Sequence, residues 1–117
     1  MALAQQRATT QTTGATAATL ISYTPPDGTL TRVRVVVLAD VAAGGTSAWY
    51  ARTAVFRRAG ASVTLVGGVA SEVTIEDAGA TTWDTTLDAS GSTIRLRVTG
   101  AALTTIDWAG TLTAFRA

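Results

Sequence analysis

The segment Trp83-Asp84-Thr85-Thr86-Leu87-Asp88, then Ala89-Ser90-Gly91-Ser92, then Thr93-Ile94-Arg95-Leu96-Arg97-Val98-Thr99, decides the fold. Successive side chains of a strand point to opposite faces. Trp83, Thr85 and Leu87 therefore share a face, as do Ile94, Leu96 and Val98. Reading 89–92 as a four-residue loop pairs Leu87 with Ile94 and Trp83 with Val98. The segment 105–114 extends the scheme if Val98 faces Ile106, which brings Leu96 opposite Trp108. The outer face then sets Arg97 between Asp84 and Asp107. Apolar residues agree on one side and opposite charges on the other, which is the pattern of an antiparallel sheet.

Upstream, turn signals recur at strand spacing. Residues 18–24 read as a strand closed by Pro25-Pro26-Asp27-Gly28. Residues 30–39 are rich in β-branched side chains, with Val33, Val35 and Val37 on one face. Ala43-Gly44-Gly45 breaks the chain. Residues 47–57 alternate Trp49, Ala51, Thr53 and Val55 against Tyr50, Arg52, Ala54 and Phe56. Gly60 turns into 63–66, Gly67-Gly68 is expected to turn again, and 69–75 forms a further strand. No window holds a helical period. The expected fold is all-β: a single antiparallel β-sandwich or jelly-roll-like domain over 17–117. Residues 1–16, polar and without a hydrophobic period, read as an extended N-terminal arm.

Composition restricts the chemistry. The 117 residues carry a formal charge of +1, which gives no field to gather nucleic acid or an anionic membrane. His, Cys, Lys and Asn are absent, and every cation is an arginine. Without His or Lys, a Ser or Thr nucleophile lacks its usual base. No apolar run reaches membrane-helix length, and residues 1–20 do not have the pattern of a signal peptide.

The carboxylates Glu72, Glu76, Asp77, Asp84, Asp88 and Asp107 are the candidates for two-carboxylate glycoside chemistry. The register makes Asp84 and Asp107 surface partners of Arg97 instead. Glu72, Glu76 and Asp77 are oxygen ligands that could in principle meet calcium, but no dense aspartate loop surrounds them, and a solvated acidic loop is the preferred reading. Gly44-Gly45 and Gly67-Gly68 lack phosphate-loop spacing. The arginine pairs Arg32/Arg34, Arg57/Arg58 and Arg95/Arg97 read as ion-paired outer faces and edge protection. No catalytic residue, cofactor site or metal site is assigned. Trp49 and Tyr50 are adjacent, so they face opposite ways, and one of them is the candidate partner contact.

Several segments together resemble small β-domains of tailed-bacteriophage and prophage virion proteins. They are Arg52 to Phe56, Gly60-Ala61-Ser62-Val63-Thr64-Leu65-Val66-Gly67, Thr82-Trp83-Asp84, and Ile94 through Val98-Thr99-Gly100 to Thr105-Ile106-Asp107-Trp108. The resemblance implies a fibre, spike or capsid-decoration subunit of a virion that works by assembly and needs no catalytic residues. It implies a homo-oligomer, with a trimer as the candidate arrangement, and contact with other virion proteins through the arm. Leu3, Thr9, Thr10, Thr12 and Thr13 are the expected arm contacts, with Thr9 to Thr13 adding a strand to a neighbour's sheet edge. The alternative is a carbohydrate-binding module for a host-surface glycan, which exposed coplanar aromatics would favour.

Overall fold

The computed structural model describes the backbone of residues 2–117 and the side chains from Ala4 onward. The chain runs β1 (Ala2–Thr12), β2 (Ala18–Tyr23), β3 (Leu30–Val41), β4 (Ser47–Ala59), β5 (Ser62–Glu76), a single 3-10 turn (Ala78–Ala80), β6 (Asp84–Ser90), β7 (Thr93–Thr99) and β8 (Ile106–Arg116). Two antiparallel sheets pack face to face, one ordered β1-β8-β3-β4-β5 and the other β2-β7-β6. The expected all-β sandwich is the fold.

The period-2 patterns explain which residues lie between the sheets. Val33, Val35 and Val37 of β3, Tyr50 and Phe56 of β4, and Ile106, Trp108 and Leu112 of β8 are buried from the larger sheet. Leu87, Ile94, Leu96 and Val98 meet them from the smaller one. The seven residues expected to form the core around Trp83 and Trp108 are all buried, and those two rings sit 6.0 Å apart. In β2 two consecutive residues, Leu20 and Ile21, both face inward. A register shift at Leu20 allows it, since the extra residue of a bulge lets neighbours share a face.

The pairing scheme around Arg97 is corrected. Leu87 lies opposite Leu96 and Thr85 opposite Val98, with only Gly91 and Ser92 between the paired residues Ser90 and Thr93. Gly91 has φ +58°, a left-handed conformation that permits this tighter hairpin. The register therefore slips by two from the expected one, which leaves every residue on its expected face. A larger correction concerns β8, which pairs with β1 and β3 in the other sheet. Arg97 is flanked by Thr86 and Thr19, and its Nη2 donates to the Ala17 carbonyl at 3.1 Å. It lies between no aspartates. The charge pair on this sheet is Arg95 with Asp88, two parallel bonds of 2.8 Å each.

Two further expectations give way. Gly67-Gly68 is no turn: β5 runs through it as one long strand, with register breaks against β4 and Gly67 at φ +75°. Glycine here permits a bend within a strand as well as between strands. Of the arm expected over 1–16, the described stretch 2–12 is a strand of the domain's own sheet. Residues 2–12 form β1, paired residue for residue with β8, because the unpaired backbone of β8 offers a full set of hydrogen-bond partners.

Candidate functional site

The outer face of the five-stranded sheet carries the most distinctive surface of the molecule. One row crosses all five strands: Thr9, Ala109, Leu38, Trp49 and Ile75, each opposite the next. Leu38 is 58%, Trp49 39% and Ile75 57% exposed. Three large apolar side chains thus stand side by side in water, where burial of such area by a partner is favourable. Around them lies an open groove of about 970 Å³, reaching from Thr9 and Gln11 to Ile75 and Asp77.

One rim of the groove is acidic. Asp40 lies directly opposite Asp107 on neighbouring strands. Each carboxylate is held by a polar neighbour: the Ser47 hydroxyl donates to Asp40 Oδ1 and the Gln11 amide to Asp107 Oδ1, both at 2.8 Å. The Ser47 backbone N–H donates to Asp77 Oδ2 at 2.8 Å. Among the described residues the ion pairs are Arg34–Glu72 and Arg95–Asp88, so neither Asp40 nor Asp107 has a cationic partner there. The rim is therefore a row of oriented hydrogen-bond acceptors beside an apolar shelf.

Beneath the shelf the inward side carries a small polar network. Tyr50 stacks on Trp108 at 6.5 Å and 26°, and its hydroxyl donates to Glu76 Oε2 at 2.6 Å. Arg52 is buried, with its guanidinium 5.2 Å from the Tyr50 ring centre and Nη1 donating to the Ala51 and Val73 carbonyls. A cation over an aromatic face partly replaces the water it has lost.

Burial, then the hydrogen bond and charge of Glu76, push the Tyr50 phenol well above its ordinary value; Arg52 opposes them. The folded state thus favours neutral Tyr50, and its contribution to stability is intact below about pH 10 and lost as pH rises above it. Urea unfolding from about pH 9 to about pH 11 is expected to show falling stability, with a shallower fall in Tyr50→Phe. Parallel losses in the two proteins would show that Tyr50 is not the group responsible.

The candidate residues are distributed unevenly. Trp49 lies on the exposed shelf, but Tyr50 is fully buried, which removes it as a partner contact. The side chain of Leu3 lies outside the described residues. Thr9 is exposed in the apolar row, Thr10 lies opposite Trp108, and Thr13 follows the strand, exposed. Thr12 is taken up by the fold: it is buried, and its hydroxyl accepts a 2.9 Å bond from the Trp108 indole N–H.

The acidic residues weighed for calcium diverge. Glu72 meets Arg34 and Thr53, Glu76 meets Tyr50, and Asp77 meets Ser47. Among the described residues no three His, Cys, Asp or Glu side chains gather as a metal site. Asp84 and Asp107 belong to different sheets, so they are not the surface pair expected. Sequence reading missed Leu38 and Ile75. The signal was present for Leu38: with Val33, Val35 and Val37 inward, a leucine one step out of phase faces solvent.

Comparison with protein-family models and with curated proteins returns no match. Among solved structures, the fold is similar to part of the tailspike protein of Acinetobacter baumannii phage AM24, with a TM-score of 0.55 and 9% sequence identity. The likeness covers 97% of this chain and 26% of the tailspike chain, so the whole sandwich corresponds to about a quarter of that protein. At that identity the likeness speaks for the fold alone.

Proposed function

We propose that this chain is a non-enzymatic structural domain of a tailed-phage or phage-like particle, a piece of a fibre, spike or capsid decoration, which works by self-association and by docking against other virion proteins. The carrying observation is the likeness of nearly the entire chain to one part of a phage tailspike. The surface chemistry supports the same reading. Leu38, Trp49 and Ile75 form an apolar shelf with an acceptor-rich rim, the composition of a protein contact centred on an aromatic anchor. The chain has no His, Lys or Cys, so a hydroxyl or thiol nucleophile activated by His or Lys has no residues to draw on.

Trp49→Ser is the direct test. The residue is an outer-face side chain, so the variant should keep its unfolding midpoint while the chain's incorporation into particles falls by about tenfold or more. Incorporation at the parental level would overturn the docking role of this face. A second reading, a carbohydrate-binding surface, draws on one feature: the exposed Trp49 ring shares its groove with Asp40, Gln11 and Asp107, groups suited to sugar hydroxyls. Its mark would be saturable shifts of the Trp49 indole resonance on titration with host-surface oligosaccharides. Tyr50, Phe56, Trp83 and Trp108 are buried and the exposed Phe115 lies outside the groove, so among the described residues no second exposed ring lines it with Trp49.

A further inference from the structure

A two-sheet sandwich has four edge strands, and each presents a row of unpaired backbone groups that can recruit another strand. Three of the four edges here carry recognised defences. β2 is six residues long, bulged at Leu20, and followed by Pro25-Pro26. β6 has seven residues, with Asp84 and Asp88 among them. β5 is long, but its register breaks twice against β4, and Gly67 bends it in a left-handed conformation.

β1 has none of these devices. Its eleven residues pair with β8 without a single register break. It contains no proline or glycine, and Arg7 is its one charge. Edges of this kind, long, unbroken and nearly neutral, are the ones that add strands.

We propose that β1 pairs antiparallel with β1 of a second copy about a two-fold axis at Thr9, joining the two five-stranded sheets into one of ten strands. This inference rests on the assembly reading above and names its contact. The second copy is the favoured occupant because the sequence of β1 complements itself in that register. Thr9 meets Thr9, Ala8 meets Thr10, and Arg7 meets Gln11 of the second copy, so the two Arg7 side chains do not oppose each other. Gln11 holds Asp107, which lies opposite Asp40. Arg7 of one copy thus enters the row of the other copy's two cation-free carboxylates, on the same outer face. The apolar rows also align: Ile75, Trp49, Leu38, Ala109 and Thr9 run directly into their counterparts across the axis. A symmetric contact of this kind closes on itself and does not propagate.

The chain contains no cysteine, so a single introduced thiol reports the axis. Residues on a two-fold face their own copy, and directly opposed strand positions bring Cα atoms to about 4.5–5.5 Å, within disulfide reach. Under mild oxidation, full-length Thr9→Cys should form a covalent dimer at least about tenfold faster than Thr19→Cys, an exposed β2 control. Arg7→Cys mixed with Gln11→Cys should cross-link faster than either alone. By sedimentation, Thr9→Arg should weaken the dimer by about tenfold or more, since it sets like charges opposite each other, and its thermal midpoint at low concentration should match the parent. A parent that sediments as a monomer throughout, a trimer, or equal cross-linking of Thr9→Cys and Thr19→Cys would each overturn the proposal. Trp49→Ser separates the two ideas: it tests particle docking and should leave the Thr9→Cys cross-link intact.

Discussion

Replacing Trp108 with alanine is expected to lower the free energy of unfolding by about 3–5 kcal/mol, the usual range for deleting a buried tryptophan. That is a large part of the roughly 5–15 kcal/mol available to a domain of this kind. The size of the effect follows from what the ring touches. Trp108 is 1% exposed and lies against Tyr50 on one side and Trp83 on the other. Its indole N–H also ties the end of β1 to the core through Thr12. Alanine leaves a cavity between the sheets and strands the Thr12 hydroxyl. Urea unfolding should show a lower midpoint with little change in slope. Trp108→Phe keeps much of the apolar volume and removes only the tie to Thr12, so its loss should be clearly smaller. Equal losses in both variants would mean that the hydrogen bond, not the packing, dominates at this position.

Gly110→Val is the second large effect, arising from excess volume. Gly110 lies on the inward face of β8 between Trp108 and Leu112. A Cβ built there would come within 2.7 Å of Leu20 Cδ2 and 3.3 Å of Leu96 Cδ2, side chains of the opposite sheet. Both leucines are buried, so their methyl groups have no free space to move into. Valine favours strands, and the expected loss of about 1–3 kcal/mol or more is therefore steric. A double mutant checks the cause. Leu20→Ala alone should cost about 2–5 kcal/mol, but combined with Gly110→Val the total should fall below the sum of the two. Strict additivity would place the strain somewhere other than the Leu20 contact.

Much of this molecule was legible from alternation. Val33, Val35, Val37, Ile94, Leu96, Val98, Ile106 and Trp108 were all readable as inward-facing, because a strand that is wet on one face must alternate. Composition also carried information: with no His, Lys or Cys, the common nucleophilic and metal chemistries have few residues to draw on. The candidate site was legible only in part. Trp49 was named, but it came joined to Tyr50, and nothing local says which of two adjacent aromatics faces water. That depends on which side of β4 the smaller sheet covers.

What sequence by itself determined is thus which residues of a regular strand share a face; what only the tertiary structure decided is which face is covered and each strand's neighbour. Period-2 patterning is blind to a register slip of two, so Leu87 could face Ile94 or Leu96 with the same burial, and the left-handed Gly91 turn made the choice. The pattern is equally blind to sheet membership. The inward faces of both sheets line one core, so β8 satisfies its apolar residues as well beside β3 as beside β7. The segment over 2–12 shows the same limit most plainly. Its small polar residues carry no hydrophobic signal, and it becomes β1 because β8 has a free edge, a backbone requirement that no side-chain pattern records.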